Sequence, residues 1–257
     1  MSKILKKYNN YQFGGRIKTP TVIDWYNPDS KETLEKSSEE HKNIWKKVDD
    51  ITYRLNTYGF RCEEFPEEEC RESITILGCS QTFGIGLQKE NTWASLLCKE
   101  LNLREINLSI AGGSLDSAFR VYNEWQPIHK SKITCILMPP TTRLESTSIE
   151  RNSWKNIGNW TIENYIRSGE TNLQAFLLEL LEESLQEVRE ERNLAAIKYI
   201  ANQTDSEVYL CYYLDNDDKK NVPWLDVARD GCHGGPKWNK RMRDLFLEKI
   251  RNKQIER

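Results

Sequence analysis

Four short apolar runs constrain this chain more than any other feature. They fall at 74–78 (ITILG), 105–108 (EINL), 133–138 (ITCILM) and 208–213 (VYLCYY), and helix-like stretches separate them. Runs this short and this rich in β-branched and aromatic residues read as buried strands. The intervening segments repeat at helical spacing. NTWASLLCKEL puts Trp93, Leu96, Leu97 and Leu101 on one face, and after Pro236 the inward positions are Met242, Leu245, Phe246 and Ile250. Between 171 and 200, Leu173, Phe176, Leu177, Leu180, Leu181, Ser184 and Val188 form an apolar stripe with glutamates mainly opposite, as in a long helix lying on a sheet. Strands joined by helical crossovers pair in parallel. The expected class is therefore α/β, a three-layer α/β/α sandwich whose central parallel sheet has about five strands. Parallel sheets of this kind bind ligands outside the carboxyl ends of their strands.

The pattern begins at residue 73. Residues 1–72 are polar, dotted with aromatics and poor in apolar periodicity, so they are expected to be an extension packed on a main domain of residues 73–257. Within the extension, SSEEHKNIWKKVDD predicts a short helix capped by Ser37 or Ser38, and ITYRLNTYGFRCEEF predicts a strand ending in a turn at 56–59. A net charge of −2 with interspersed signs argues against a nucleic-acid partner. No stretch approaches membrane-spanning length and none reads as a secretion signal, so no membrane partner and a cytoplasmic location are expected. The seven cysteines are odd in number and lack CxxC spacing, which predicts reduced thiols and no metal site. No cofactor motif is present. The loop GCSQTFGIG lacks the lysine of a phosphate-binding loop and does not fit G-x-G-x-x-G.

The first run ends at Gly78, and Ser80 follows in a glycine-rich turn. A serine hydroxyl becomes nucleophilic when a base takes its proton, and histidine is the usual base. The chain has three histidines. His41, in the polar extension, and His129, in the connection WQPIHKSK, lack an acidic partner at informative spacing and are expected on the surface. His233 lies in the glycine-rich stretch WLDVARDGCHGGPKWN, with Asp230 three residues before it. In a tight loop that spacing aims a carboxylate at imidazole Nδ1 and leaves Nε2 as the base. Cys79 is a poorer nucleophile candidate, because in a continuing strand it faces away from Ser80.

These segments resemble the SGNH (GDSL-like) hydrolases. Gly78-Cys79-Ser80-Gln81-Thr82 resembles the family's first block, NLSIAGGS at 107–114 its second, and DGCH its closing D-x-x-H. The resemblance implies a flavodoxin-like sandwich and acyl-ester hydrolysis. It further implies Ser80 as nucleophile, His233 as base, Asp230 as its orienting carboxylate, and the Ser80 and Gly112 N–H groups as an oxyanion hole. Two blocks depart from the pattern. Cys79 stands where the first block has aspartate. ILMPPTTRLE replaces the third block, whose asparagine is a side-chain oxyanion donor, and Thr141, Thr142 or Arg143 is expected to compensate. Trp154 and Trp160, in the long connection after the third run, are expected to pass over the site and stack on a sugar. The expected partner is thus a small-molecule or carbohydrate ester. The competing expectation is a non-catalytic domain of the same fold that binds a glycan or a protein.

Overall fold

The computed structural model describes residues 20–46, 51–148, 153–158, 160, 161, 163, 167, 182–212 and 225–255. In chain order the elements are β1 (Thr21–Ile23), α1 (Lys31–Lys36), α2 (Glu39–Trp45), β2 (Tyr53–Leu55), β3 (Ser73–Leu77) and α3 (Ser80–Phe83). Then follow α4 (Trp93–Leu101), β4 (Arg104–Asn107), α5 (Leu115–His129), β5 (Ile133–Met138), β6 (Leu144–Ser148) and β7 (Ser153–Ile157). The last three are α6 (Glu183–Gln203), β8 (Glu207–Tyr212) and α7 (Pro236–Arg251).

The four predicted runs are β3, β4, β5 and β8, each within one residue of its expected limits. They form one sheet in the order β4-β3-β5-β8, and every pair is parallel. The described residues thus hold four sheet strands where about five were expected. All five residues of β3 are buried, as a central strand covered on both faces requires. On one face Ile74 and Ile76 meet Trp93 and Leu97 of α4 and Trp238, Met242 and Phe246 of α7. On the other, Leu77 and Ile106 pack with Val121 and Tyr122 of α5 and Ile197 and Ala201 of α6. The result is the expected α/β/α sandwich.

Two expectations about helices fail. Val188 is 60% exposed, and α6 instead buries Gln186, Asn193, Ile197 and Ala201. The stripe positions from Leu173 to Leu181 lie outside the described residues. His129 is not on the surface. It is fully buried as the last residue of α5, which runs straight through Pro127, and its ring stacks on Trp125 with Nε2 3.1 Å from Pro66 O. The expectation placed His129 in a connection, but the helix capped at Ser114 continues through Pro127 and takes up His129 in its last turn.

The N-terminal residues lie against the carboxyl ends of the strands. Trp45, Ile51, Tyr53 and Leu55 share a core cluster with Phe83, Ile85 and Leu87, which follow the Ser80 turn, and with Ala228. Ser38 caps α2, one of the two serines expected to do so. His41 is half-buried, its Nε2 2.9 Å from Arg229 O, which corrects its assignment to the free surface. Among the described residues no helix is long and apolar enough to cross a membrane.

Candidate active site

Ser80 is the first residue of α3, immediately beyond the carboxyl end of central strand β3. Its carbonyl accepts from Gly84 N at 3.0 Å, closing a single helical turn. The N–H groups of a first helical turn have no intrahelical acceptor, so the Ser80 N–H belongs to a set of donors available to a ligand. Cys79, just before it, is buried in the core with Ile74, Trp93 and Trp238. A thiol at that place is a packing group.

The strand after β4 continues alongside this turn, with Leu108 N bonded to Ile76 O and Ile110 N to Gly78 O. That pairing carries 107–112 to the level of Ser80. Gly112 then turns with φ of 72°, a left-handed value. Trp160 lies over it, since a Cβ built on Gly112 would meet the indole at 3.7 Å. Asn156 of β7 donates from Nδ2 to Ala111 O at 3.5 Å, and its buried Oδ1 has no protein partner among the described residues. Because C=O and N–H point oppositely across a trans peptide, that contact orients the Gly112 N–H away from β7.

The third segment is a closed loop. Ala228 N bonds to His233 O, Gly231 N to Ala228 O, and Val227 pairs with Gly234. Within it both Asp230 oxygens are engaged. Oδ1 accepts from Cys232 N at 3.1 Å and His233 N at 3.2 Å, while Oδ2 lies 2.5 Å from His233 Nδ1. A carboxylate only accepts, so Nδ1 carries the proton and Nε2 presents its lone pair. Asp230 is 3% and His233 8% exposed, and Ser80 is 7% exposed. The loop is bonded to the serine turn: Gly234 N donates to Gln81 Oε1 at 3.1 Å, and Arg229 N to Gly86 O at 3.0 Å. The residue after Ser80 therefore holds the residue after His233.

The remaining predicted residues divide. Arg143 stacks over Trp160 at 5.2 Å, and its buried Nη1 has no protein partner among the described residues. Thr141 is exposed and Thr142 half-buried. Trp154 packs on the Arg120 guanidinium at 4.6 Å, and Arg120 is in turn forked onto Glu145 at 2.6 and 2.7 Å. Trp160, by contrast, lies directly beside Gly112. Sequence reasoning missed Gln81, Gly86 and Asn156, because their spacing carries no motif and only the fold brings them here. It also missed Arg61. This buried guanidinium donates to Phe83 O, Gly84 O, Leu87 O and Thr52 O at 2.6–3.1 Å and so holds the chain that leaves α3. Burial lowers it to about 10, which leaves it charged at neutral pH. Among the described residues no cluster of ligating side chains suits a metal ion.

No family model matches the sequence, and no curated protein matches it. Solved structures do. A psychrotrophic esterase from Pseudoalteromonas is similar over 70% of this chain and 97% of its own, at 17% identity and a TM-score of 0.36. An acetyl xylan esterase from Butyrivibrio proteoclasticus is similar over 75% of this chain and 66% of its own, at 10% identity and a TM-score of 0.43. A protein described as lipolytic, of the G-D-S-L family, from Desulfitobacterium hafniense is similar over 69% of this chain and 98% of its own, at 13% identity and a TM-score of 0.34. By their descriptions these three are two esterases and a lipolytic protein. The likeness is one of fold, and the chemistry of this chain must be read from its own side chains.

Proposed function

We propose that this chain is a serine ester hydrolase of the SGNH type that works through an acyl-enzyme. Ser80 Oγ attacks the ester carbonyl while His233 Nε2 takes its proton, and Asp230 holds the ring in the required tautomer. The developing oxyanion meets the Ser80 and Gly112 N–H groups. His233 then returns the proton to the departing alkoxide, and a water activated by the same nitrogen hydrolyses the acyl group. The observation that carries this reading is the Asp230–His233 contact of 2.5 Å in a loop bonded through Gly234 N to the residue after Ser80.

The third oxyanion donor is assigned to Arg143, whose guanidinium lies over Trp160, the ring beside Gly112, and whose buried Nη1 has no protein partner among the described residues. A charged donor offsets the loss of the asparagine, which is a change of ~10²–10³ in rate when such a donor is removed. The substrate is a small acyl ester, an O-acetyl group on a carbohydrate, with the half-exposed Trp160 indole as a platform for a sugar face. Residues 1–72 serve as an extension to the hydrolase domain of residues 73–257.

A panel of esters of rising acyl length, run on the wild type and on Ser80→Ala, tests the reading. Turnover of short esters by the wild type alone is the expected result. Preference for long acyl chains would replace the sugar ester with a lipid. No turnover at all, with equal binding of one glycan by both proteins, would establish the binding module that the altered third block also allows.

A further inference from the structure

The segment before β3 contributes a carboxylate and a phenol to the place where the Ser80 turn and the His233 loop meet. Asp29 is 1% exposed, and its two oxygens accept from Arg229 Nε at 2.9 Å and Arg229 Nη2 at 2.7 Å. The Tyr53 hydroxyl donates to Asp29 Oδ2 at 2.5 Å and accepts from Gly86 N at 2.8 Å. Gly86 O closes the circuit by accepting from Arg229 N at 3.0 Å. Asp29, Tyr53, Gly86 and Arg229 thus form a ring of hydrogen bonds. Two further contacts fix its outer side. Arg229 Nη2 donates to Asp24 O at 3.1 Å, and the guanidinium lies 3.9 Å from the centre of the Trp25 ring.

The ring is placed where it controls geometry. Arg229 is the residue before Asp230, and Gly86 is in the segment that Ile85 N ties to Ser80 O. At Gly86 the two chains touch so closely that a Cβ would come within 2.9 Å of Arg229 N and 3.1 Å of Asp230 N. We propose that Asp29, Tyr53 and Arg229 are positioning residues, a buried clamp by which the N-terminal segment sets the Asp230–His233 loop against the Ser80 turn. The ion pair suits that task. A buried, bidentate arginine–carboxylate pair adds little net stability but permits one geometry only. Removing the Tyr53 hydroxyl leaves Gly86 N without an acceptor and frees that geometry to relax. A displacement of about 1 Å between nucleophile and base costs ~10²-fold in rate.

The role of the clamp rests on the hydrolase reading, so its test includes a signal that needs no substrate. The His233 Nδ1 proton, held between nitrogen and carboxylate, should give a strongly downfield proton resonance in the full-length chain. In Tyr53→Phe and Asp29→Asn that resonance is expected to move upfield or broaden, while circular dichroism still reports a folded chain. With an accepted ester, kcat should fall ~10- to 100-fold and KM should change less than about twofold. A wild-type resonance and wild-type kcat in folded Tyr53→Phe would overturn the clamp, as would a lowered melting temperature with the resonance unmoved. Should Asp29→Asn not fold, Tyr53→Phe decides alone. A wild type that lacks the resonance also overturns the proposal. A wild type that shows it, loses it in the variants and hydrolyses no ester would retain the clamp and discard the hydrolase.

Discussion

At the scale of single residues, the informative contrast is between two glycines with the same backbone strain and different surroundings. Gly86 has φ of 74° and Gly231 has φ of 70°, both in the left-handed region. A Cβ on Gly231 meets nothing within 4 Å, whereas one on Gly86 collides with Ala228 and the backbone of Arg229 and Asp230. Gly231→Ala should therefore lose about 1–2 kcal/mol, the conformational term alone. Gly86→Ala should lose more and disturb the His233 loop as well, so chemical unfolding of both variants beside an activity assay separates strain from displacement. The Asp230–His233 pair was legible in the sequence because both partners sit in one tight loop, where three residues of separation nearly determine the geometry. Gln81 and Asn156 were not. Their contacts cross from 81 to 234 and from 156 to 111, and nothing local to either residue encodes the distant partner.

Elements were legible where they obey a period. The four sheet strands are short, apolar and bounded, and α7 turns inward the positions its spacing predicts. By contrast, α4 buries Trp93 and Leu97 as expected but fills the rest of its face with Ala94 and Cys98 and leaves Leu96 half-buried. Histidine contributes no such period, and the end of α5 shows the consequence. Burial holds the His129 imidazole below its ordinary value, with the nearby Arg104 charge acting in the same direction and the Pro66 carbonyl opposing them. The carbonyl beside Nε2 keeps the proton on that nitrogen, so Nδ1 is bare and buried, with no protein partner among the described residues. The folded chain binds the second proton more weakly than the unfolded chain does. Stability from this site is therefore intact above the ordinary histidine value of about 6.5 and is lost as the pH falls below it. His129→Gln retains a donor for Pro66 O and removes the titration, so urea unfolding across that interval should show a shallower acid loss than the wild type.

For the molecule as a whole, cysteine chemistry reports how completely the layers close. All seven thiols are free, five of them buried, Cys70 half-buried and Cys232 exposed. Burial raises Cys62, Cys98 and Cys135, and pushes Cys211 up to about 12. Since the reagent must reach the thiol, a native titration with a coloured disulfide reagent should modify Cys70 and Cys232, the two that are not buried, with Cys232 slowed because partial burial and the Asp230 charge raise it. The other five should appear only in denaturant, and early release of more than two would mean that the helical layers do not seal the sheet. The sequence made the sandwich legible but not the contacts of Asp29 and His41, whose partner Arg229 lies far away along the chain. The ion pair between Asp29 and Arg229 joins positions 200 residues apart. Contacts of such separation form late, because the loop they close must first be drawn in. On the hydrolase and clamp proposed above, a nascent chain can build most of its sheet and helices before Asp29 and Arg229 meet, and cleavage of an ester waits for that meeting. In refolding from denaturant, the far-ultraviolet signal should recover ahead of the ability to cleave an ester.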